Sequence, residues 1–270
     1  MKIAAIQTVS GTSLQGNLER AGALLAQAAR EGAELAVLPE YFCLMGQRDD
    51  DKLAVREAFG SGEVQAFLAG AARELGLWIV GGTLPLVGDS DDHVRNTSLA
   101  FTPQGHCAAR YDKIHLFRYD NGRGEQYDES RVIERGGTPQ WFVLPSRDGH
   151  AWRVGMSVCY DLRFPELYRS LAADLLLVPS AFTYGTGQAH WELLLRARAV
   201  ENLAYVAAPA QGGRHENGRR TWGHSMVVDP WGAVLAQRTE EGEGVVVTEM
   251  DARRLGEVRK QLPALDHRVL

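Results

Sequence analysis

The sequence predicts an α/β fold: one domain of mixed sheet with helices layered over it. Three observations point there. Short apolar runs suited to buried strands alternate with stretches whose apolar residues recur at helical spacing. The chain opens strand–helix–strand, the unit from which α/β layers are built. Its later strands come in pairs joined by turn signals, which adds antiparallel neighbours. No internal repeat, low-complexity tract or linker interrupts residues 1–270, so a single domain is expected.

Residues 2–7 are the first strand. Leu18, Ala21, Leu24, Leu25, Ala28 and Ala29 then share one helix face, and Gly32 stops that helix. Leu35 to Leu38 form a short buried strand running into Pro39-Glu40. Residues 46–62 are polar, with Asp49, Asp50 and Asp51 in a row, and read as a loop at the mouth of a site. Val64, Phe67, Leu68, Ala71, Ala72 and Leu75 mark a second amphipathic helix closed by Gly76. Leu77 to Val80 make a strand that Gly81-Gly82 turns out of. Asn96 to Phe101 and Ala108 to His115 read as strands joined through Pro103-Gln104-Gly105.

Residues 118–138 are glycine-rich and charged without a period, a long connection of the kind that often carries function. Strands are expected over 141–144 and 152–158, a short helix over 166–173, a strand over 175–178, a long helix over 188–202 and a strand over 203–208. Residues 212–220 read as a basic loop. Asp229-Pro230-Trp231-Gly232 is a type I turn between strands at 224–228 and 233–237, since proline suits its second position and glycine its fourth. A last strand (245–248) and helix (252–260) complete the chain.

Composition narrows the function. Hydrophobic residues make up 45% and charged residues 23%, as in ordinary globular domains. A net charge of −5 argues against general nucleic-acid or membrane-surface binding, which want a basic face. No apolar run approaches the ~18 residues of a membrane span. The three cysteines (Cys43, Cys107 and Cys159) are far apart and odd in number, so neither a disulfide framework nor zinc-ligand spacing is expected. A reducing cytoplasm, where a thiol nucleophile persists, fits this usage.

Candidate chemistry centres on Val154 to Glu166. An apolar run ends at Cys159, and Pro165 suits the first position of a following helix, where its missing N–H costs nothing. Cys159 is therefore expected on a sharp strand-to-helix turn. A buried structural cysteine is the commoner case. Glu40 also follows a strand, and Lys113 is expected near the end of the strand 108–115, with Tyr111 and His115 on its face. Ligands of layered α/β folds gather where strand ends meet, so a thiol, an ammonium and a carboxylate could share one rim. A solvated glutamate and an edge lysine are the bland alternatives. Cys43 and Cys107 read as packing residues. His115 and His190 are placed near the site, with structural roles the commoner reading.

Leu38-Pro39-Glu40, Tyr111 to Phe117 and Ser157 to Glu166 resemble, in chain order, the three motifs of the carbon–nitrogen hydrolase (nitrilase) superfamily. The likeness continues through Ser180 to Thr183, Thr186 to Glu192, Arg196 to Asn202 and Gly223 to Gly232. It implies a four-layer α-β-β-α sandwich with mixed sheets, usually a homodimer, and a triad of Glu40, Lys113 and Cys159. Glu129 matches a supporting glutamate. Cys159 would be the nucleophile and Glu40 the proton carrier. Lys113 and the Tyr160 backbone N–H would receive the oxyanion, with no metal or organic cofactor required.

Within the superfamily the likeness is greatest to amidases of small 2-oxo acids. Deaminated glutathione is the first substrate expected, hydrolysed to acid and ammonia, and 2-oxoglutaramate the second. Such anionic amides call for a cationic clamp. Arg163 is the first candidate because guanidinium matches carboxylate bidentately, with a helix-end salt bridge as its alternative. Phe182 and Thr183, after a strand end, are expected to line the pocket. Arg214, Arg219 or Arg220 could meet a second, distant carboxylate, although a solvated loop is the commoner reading. A nitrilase, a carbamoyl hydrolase and a non-catalytic binding protein on the same fold remain open.

Overall fold

The computed structural model describes residues 1–122 and 124–269. Two sheets pack face to face. In the first, Lys2–Gln7 lies between Gly244–Glu249, antiparallel, and Leu35–Val37, parallel; Trp78–Val80, Val94–Phe101 and Leu84–Val87 extend it. Cys107–Asp112 and Ile133–Glu134 also pair with Val94–Phe101. The second sheet runs Gln140–Pro145, Ala151–Met156, Leu175–Leu177, Tyr205–Ala208, Met226–Val228 and Val234–Gln237. Its middle pairs are parallel and its outer pairs antiparallel.

The alternation of side chains along each strand decides the layers. In the first sheet Ile3, Ala5, Leu35, Val37, Trp78 and Val80 face the second sheet, in one core with Phe142, Leu144, Val154 and Met156. Their neighbours Ala4, Ile6, Ala36, Leu38 and Ile79 point the other way, into a core shared with the helices Leu14–Arg30 and Glu63–Leu75. Trp191, Leu195 and Ala199 of the helix Tyr184–Asn202 cover the second sheet's outer face with Leu167 and Leu171 of the helix Pro165–Leu171. The order is helix, sheet, sheet, helix: the expected α-β-β-α sandwich with mixed sheets.

Several boundaries differ from the sequence reading. Lys113 lies just beyond its strand, which ends at Asp112 rather than at His115. Residues 118–138 are not one structureless connection: they hold a hairpin of Arg118–Asp120 with Gln126–Asp128, a 3-10 turn Glu129–Arg131 and the strand Ile133–Glu134. The basic stretch 212–220 is likewise a hairpin, Gly212–Arg214 against Arg220–Trp222. The polar segment 46–62 contains the short helix Asp51–Ala54. The long helix starts at Tyr184, earlier than its glycines suggest. A Cβ on Gly187 would sit 2.2 Å from that of Trp222, so this glycine is there for close packing. Cys43 is buried as expected, but Cys107 is exposed and does not pack in the core.

Candidate active site

Each sheet delivers one half of the site. After Leu35–Val37 the chain turns sharply at Pro39-Glu40-Tyr41, with Tyr41 at a φ of +58°. The Tyr41 amide donates to Thr83 Oγ1 (2.9 Å), and Gln211 Nε2 donates to the Glu40 carbonyl (3.0 Å). Gly82 crosses beneath this turn so closely that a Cβ there would lie 1.9 Å from the Pro39 carbonyl oxygen. The Glu40 carboxylate is thus aimed by backbone contacts on both sides.

From the second sheet, Ala151–Met156 leads into a 3-10 turn, Cys159–Arg163. Cys159 adopts a φ of +50°, a conformation rare outside glycine that costs of order 1–3 kcal/mol and clusters at functional sites. Its amide is held by the Pro179 carbonyl (3.0 Å). Asp161, fully buried, fixes the turn. Its Oδ2 accepts from the Val158 amide (2.8 Å) and the Tyr111 hydroxyl (2.7 Å). Its Oδ1 accepts from the His115 amide (3.0 Å) and meets His115 Nδ1 (2.7 Å). One carboxylate therefore ties the cysteine turn to the segment that carries Lys113.

Lys113 is completely buried, its backbone pinned by Asn96 and Gly136. Its ammonium lies 2.8 Å from Glu40 Oε1 and 2.8 Å from each oxygen of Glu129. An ammonium has three N–H groups, and all three have acceptors. Glu129 also accepts from the Tyr41 hydroxyl at Oε1 (2.7 Å) and the Phe117 amide at Oε2 (2.6 Å). A carboxylate offers about four lone-pair sites, so Glu129 is saturated. Glu40 is not: Oε1 takes Lys113 and Asn96 Nδ2 (3.0 Å), while Oε2 takes only the Ala181 amide (3.1 Å). One lone pair of Glu40 remains free, in the cavity it shares with Cys159.

The electrostatics follow from burial and from this lattice of charges. Burial works against the Lys113 ammonium, but the Glu129 and Glu40 carboxylates outweigh it and hold its pKa well above the ordinary lysine value. Burial likewise works against the Glu129 carboxylate, and the Lys113 charge outweighs it, so that pKa lies below the usual range. Burial pushes the Cys159 thiol well up, and the Glu40 charge adds to this while Lys113 opposes it. The resting sulfur is therefore protonated.

Glu40, Glu129, Cys159, Tyr160, Phe182 and Thr183 all line one cavity of about 300 Å³. Tyr160 is second in its 3-10 turn, where the first amides of a helix lack an intrahelical acceptor. Phe182 packs on Trp191 with ring centroids 5.0 Å apart, and Thr183 Oγ1 meets Thr186 Oγ1 at 2.8 Å. Arg163 also lines the cavity. Its guanidinium finds His190 Nδ1 (3.3 Å) rather than a carboxylate, so the helix-end salt bridge is absent among the described residues. Of the three arginines in the basic hairpin, Arg214 points to solvent, Arg220 binds Glu241 (3.1 Å), and Arg219 reaches the cavity. Sequence reasoning does not single out Tyr41 or Asn96, and it offers Arg219 only as one of three arginines for a distant carboxylate. Tyr41 adjoins Glu40 in the chain, which is the one signal available for it.

Residues 2–260 match the carbon–nitrogen hydrolase family. The chain is 41% identical over 270 residues to a deaminated glutathione amidase of Synechocystis, covering 98% of this chain and 97% of that one. It superposes on Nit3 of Saccharomyces cerevisiae, a member of branch 10 of the nitrilase superfamily, with a TM-score of 0.87 and 30% identity, covering 100% of this chain and 97% of that one. On the NitFhit protein of Caenorhabditis elegans the TM-score is 0.88 at 36% identity; the match covers 99% of this chain and spans 65% of that longer one. The chain belongs to the carbon–nitrogen hydrolase family, as its three motifs lead one to expect. It is a hydrolase acting on carbon–nitrogen bonds.

Proposed function

We propose that the protein is a thiol amidase that opens the 2-oxoglutaramyl amide bond of deaminated glutathione through a thioester. One observation carries the reading: a buried ammonium held between two carboxylates that share a cavity with a strained, buried cysteine. The names of the relatives support the substrate. A thiol whose pKa is raised must lose its proton as it attacks, because the thiolate is the nucleophile. Glu40, with its free lone pair, takes that proton while sulfur bonds to the amide carbon and the carbonyl electrons move to oxygen. The Tyr160 amide donates to this oxyanion, a contact of a kind worth about 3 kcal/mol. Lys113 contributes its charge, and contributes a hydrogen bond by releasing one of its two bonds to Glu129.

Glu40 then protonates the departing nitrogen as the C–N bond breaks. Water attacks the thioester and gives a proton to Glu40, which returns it to sulfur as the C–S bond breaks. The leaving group is fixed by the substrate's own bonds. Deaminated glutathione joins its acyl group to the nitrogen of cysteinylglycine, so the products are 2-oxoglutarate and that dipeptide. The ammonia expected from the sequence reading belongs to a primary amide such as 2-oxoglutaramate. Arg163 clamps the acyl-side carboxylate, with Phe182 and Thr183 shaping the wall beside it.

The test is a product assay with purified protein. Cysteinylglycine release from deaminated glutathione at a kcat/KM above that for ammonia release from 2-oxoglutaramate supports the reading. The opposite preference assigns the protein to the shorter substrate, and turnover of nitriles in place of amides overturns amide hydrolysis. The homodimer implied by resemblance also belongs to this proposal. Leu193, Val200 and Trp231 expose 68%, 46% and 53% of their surface on one apolar patch, which supports it, and light scattering decides it. A reducing cytoplasm suits the unpaired cysteines.

A further inference from the structure

Beside the reaction cavity lies a wider cleft of about 1400 Å³, open to solvent and lined by residues of the two hairpins and the segment after Glu40. Arg219 lines the reaction cavity, this cleft and the smaller hollow behind Glu129, and is alone in doing so among the described residues. Its partners are weak for a guanidinium. One nitrogen donates to the Ala181 carbonyl at 3.3 Å, another approaches Met45 Sδ at 3.9 Å, and the charge sits 4.7 Å above the Tyr127 ring. Its Nε is buried without an acceptor. No carboxylate of the described residues pairs with it. The other charges of the cleft are matched: Lys52 faces Asp49 at 3.9 Å, Arg220 holds Glu241, and Glu125 takes bonds from Tyr127 and Asn121.

A half-buried cation with no ion-pair partner and one buried, unsatisfied N–H is costly, and a carboxylate that meets it both neutralises the charge and fills the empty donor. We propose that Arg219 is a specificity-determining residue that binds the carboxylate of the leaving group, so that the cleft selects amides whose departing amine carries an acid at its far end. This rests on the amidase reading above and sharpens it. Arg163 lines the reaction cavity but not the cleft, which leaves the leaving-group side to Arg219. An extended dipeptide reaches about 7 Å, and Arg219 lines both the reaction cavity and the cleft toward which that dipeptide would extend. The primary amide 2-oxoglutaramate has no group to place there.

The experiment removes the carboxylate from either partner. Wild-type protein is assayed with deaminated glutathione and with its C-terminal glycinamide, and the same pair is assayed with Arg219→Gln. The wild type is expected to favour the free acid by roughly 10- to 100-fold in kcat/KM, seen mainly in KM, as for a charged hydrogen bond. In Arg219→Gln that preference falls to within about threefold, whatever the absolute rates, because the cycle reads only the coupling. Equal use of the two substrates by the wild type overturns the inference without need of a variant. An unchanged preference in a folded Arg219→Gln protein overturns it as well. Failure of the wild type to cleave deaminated glutathione at all overturns the functional reading beneath it, and is told apart by that.

Discussion

Glu40→Gln and Glu129→Gln are chemically identical changes at two carboxylates that share Lys113, yet they should fail differently. Glu129 takes four hydrogen bonds on four lone-pair sites. A glutamine there keeps one oxygen and turns an NH2 toward two donors, leaving two of them unsatisfied. At about 1–3 kcal/mol for each buried donor, the loss is roughly 2–6 kcal/mol. For a chain of this size that lowers Tm by roughly 4–12 °C. Glu40 takes three bonds, and a glutamine in its place can keep two of them on its oxygen and strand only the Ala181 amide. That loss is about 1–3 kcal/mol, or roughly 2–6 °C. The order of rates reverses. In the proposed mechanism Glu40→Gln removes the proton carrier, and it should lower kcat by about 10²- to 10⁴-fold. Glu129→Gln acts only by loosening Lys113, and about 10- to 100-fold is expected. Thermal melts and kcat for the two proteins make the comparison. A Glu129→Gln enzyme that is the more stable and the slower of the pair would refute the lone-pair argument.

Cys159→Ala should abolish turnover and leave the melting curve within a few degrees of wild type; ammonia or amine release by that protein ends the thioester scheme. Alkylation as a test of Cys159 must begin from Cys107→Ser, because exposed Cys107 reacts first; loss of activity should then follow the slow, buried thiol. Gly82→Ala drives a methyl group into the Pro39 carbonyl at a φ of +46° and should cost roughly 2–5 kcal/mol with loss of activity, measured by melting and kcat. A wild-type Tm would show that the turn yields. Glu129, whose folded pKa is depressed, should contribute stability in full above its unfolded value of about 4.3 and lose it as pH falls through the lower folded value. Lys113, whose pKa is raised, should contribute stability below about 10.4 and lose it only above that. Melts of wild type and Glu129→Gln across the acid range check the first sign, and a difference in Tm that grows as pH falls would contradict it.

The strand ends that carry Glu40 and Cys159 are legible because each follows an apolar run that stops at a turn residue. The sandwich is legible because alternate residues of Lys2–Gln7 and Leu35–Val37 are apolar on both faces, as strands covered on two sides must be. The alternation of Tyr111, Lys113 and His115 extends the strand too far, since tertiary bonds to Asp161 and Gly136 end the pairing first. Glu129 rests on resemblance alone, since residues 118–138 have no period to place them. Arg219 is legible only as one of three arginines, with Arg214 and Arg220, that could meet a distant carboxylate, and the choice among them is hidden for a plainer reason. A polar, basic stretch reads as solvated, and only the pairing of Gly212–Arg214 with Arg220–Trp222 turns that one side chain inward.

The first sheet is finished by residues from the far end of the chain: Gly244–Glu249 returns to flank Lys2–Gln7 over six paired positions. The sulfur hangs from the other sheet, whose strands are all synthesised earlier. In order of synthesis, then, every strand of the sheet behind Cys159 precedes the one that completes the sheet opposite. Lys2–Gln7, which flanks the strand leading to Glu40, therefore gains its antiparallel neighbour last.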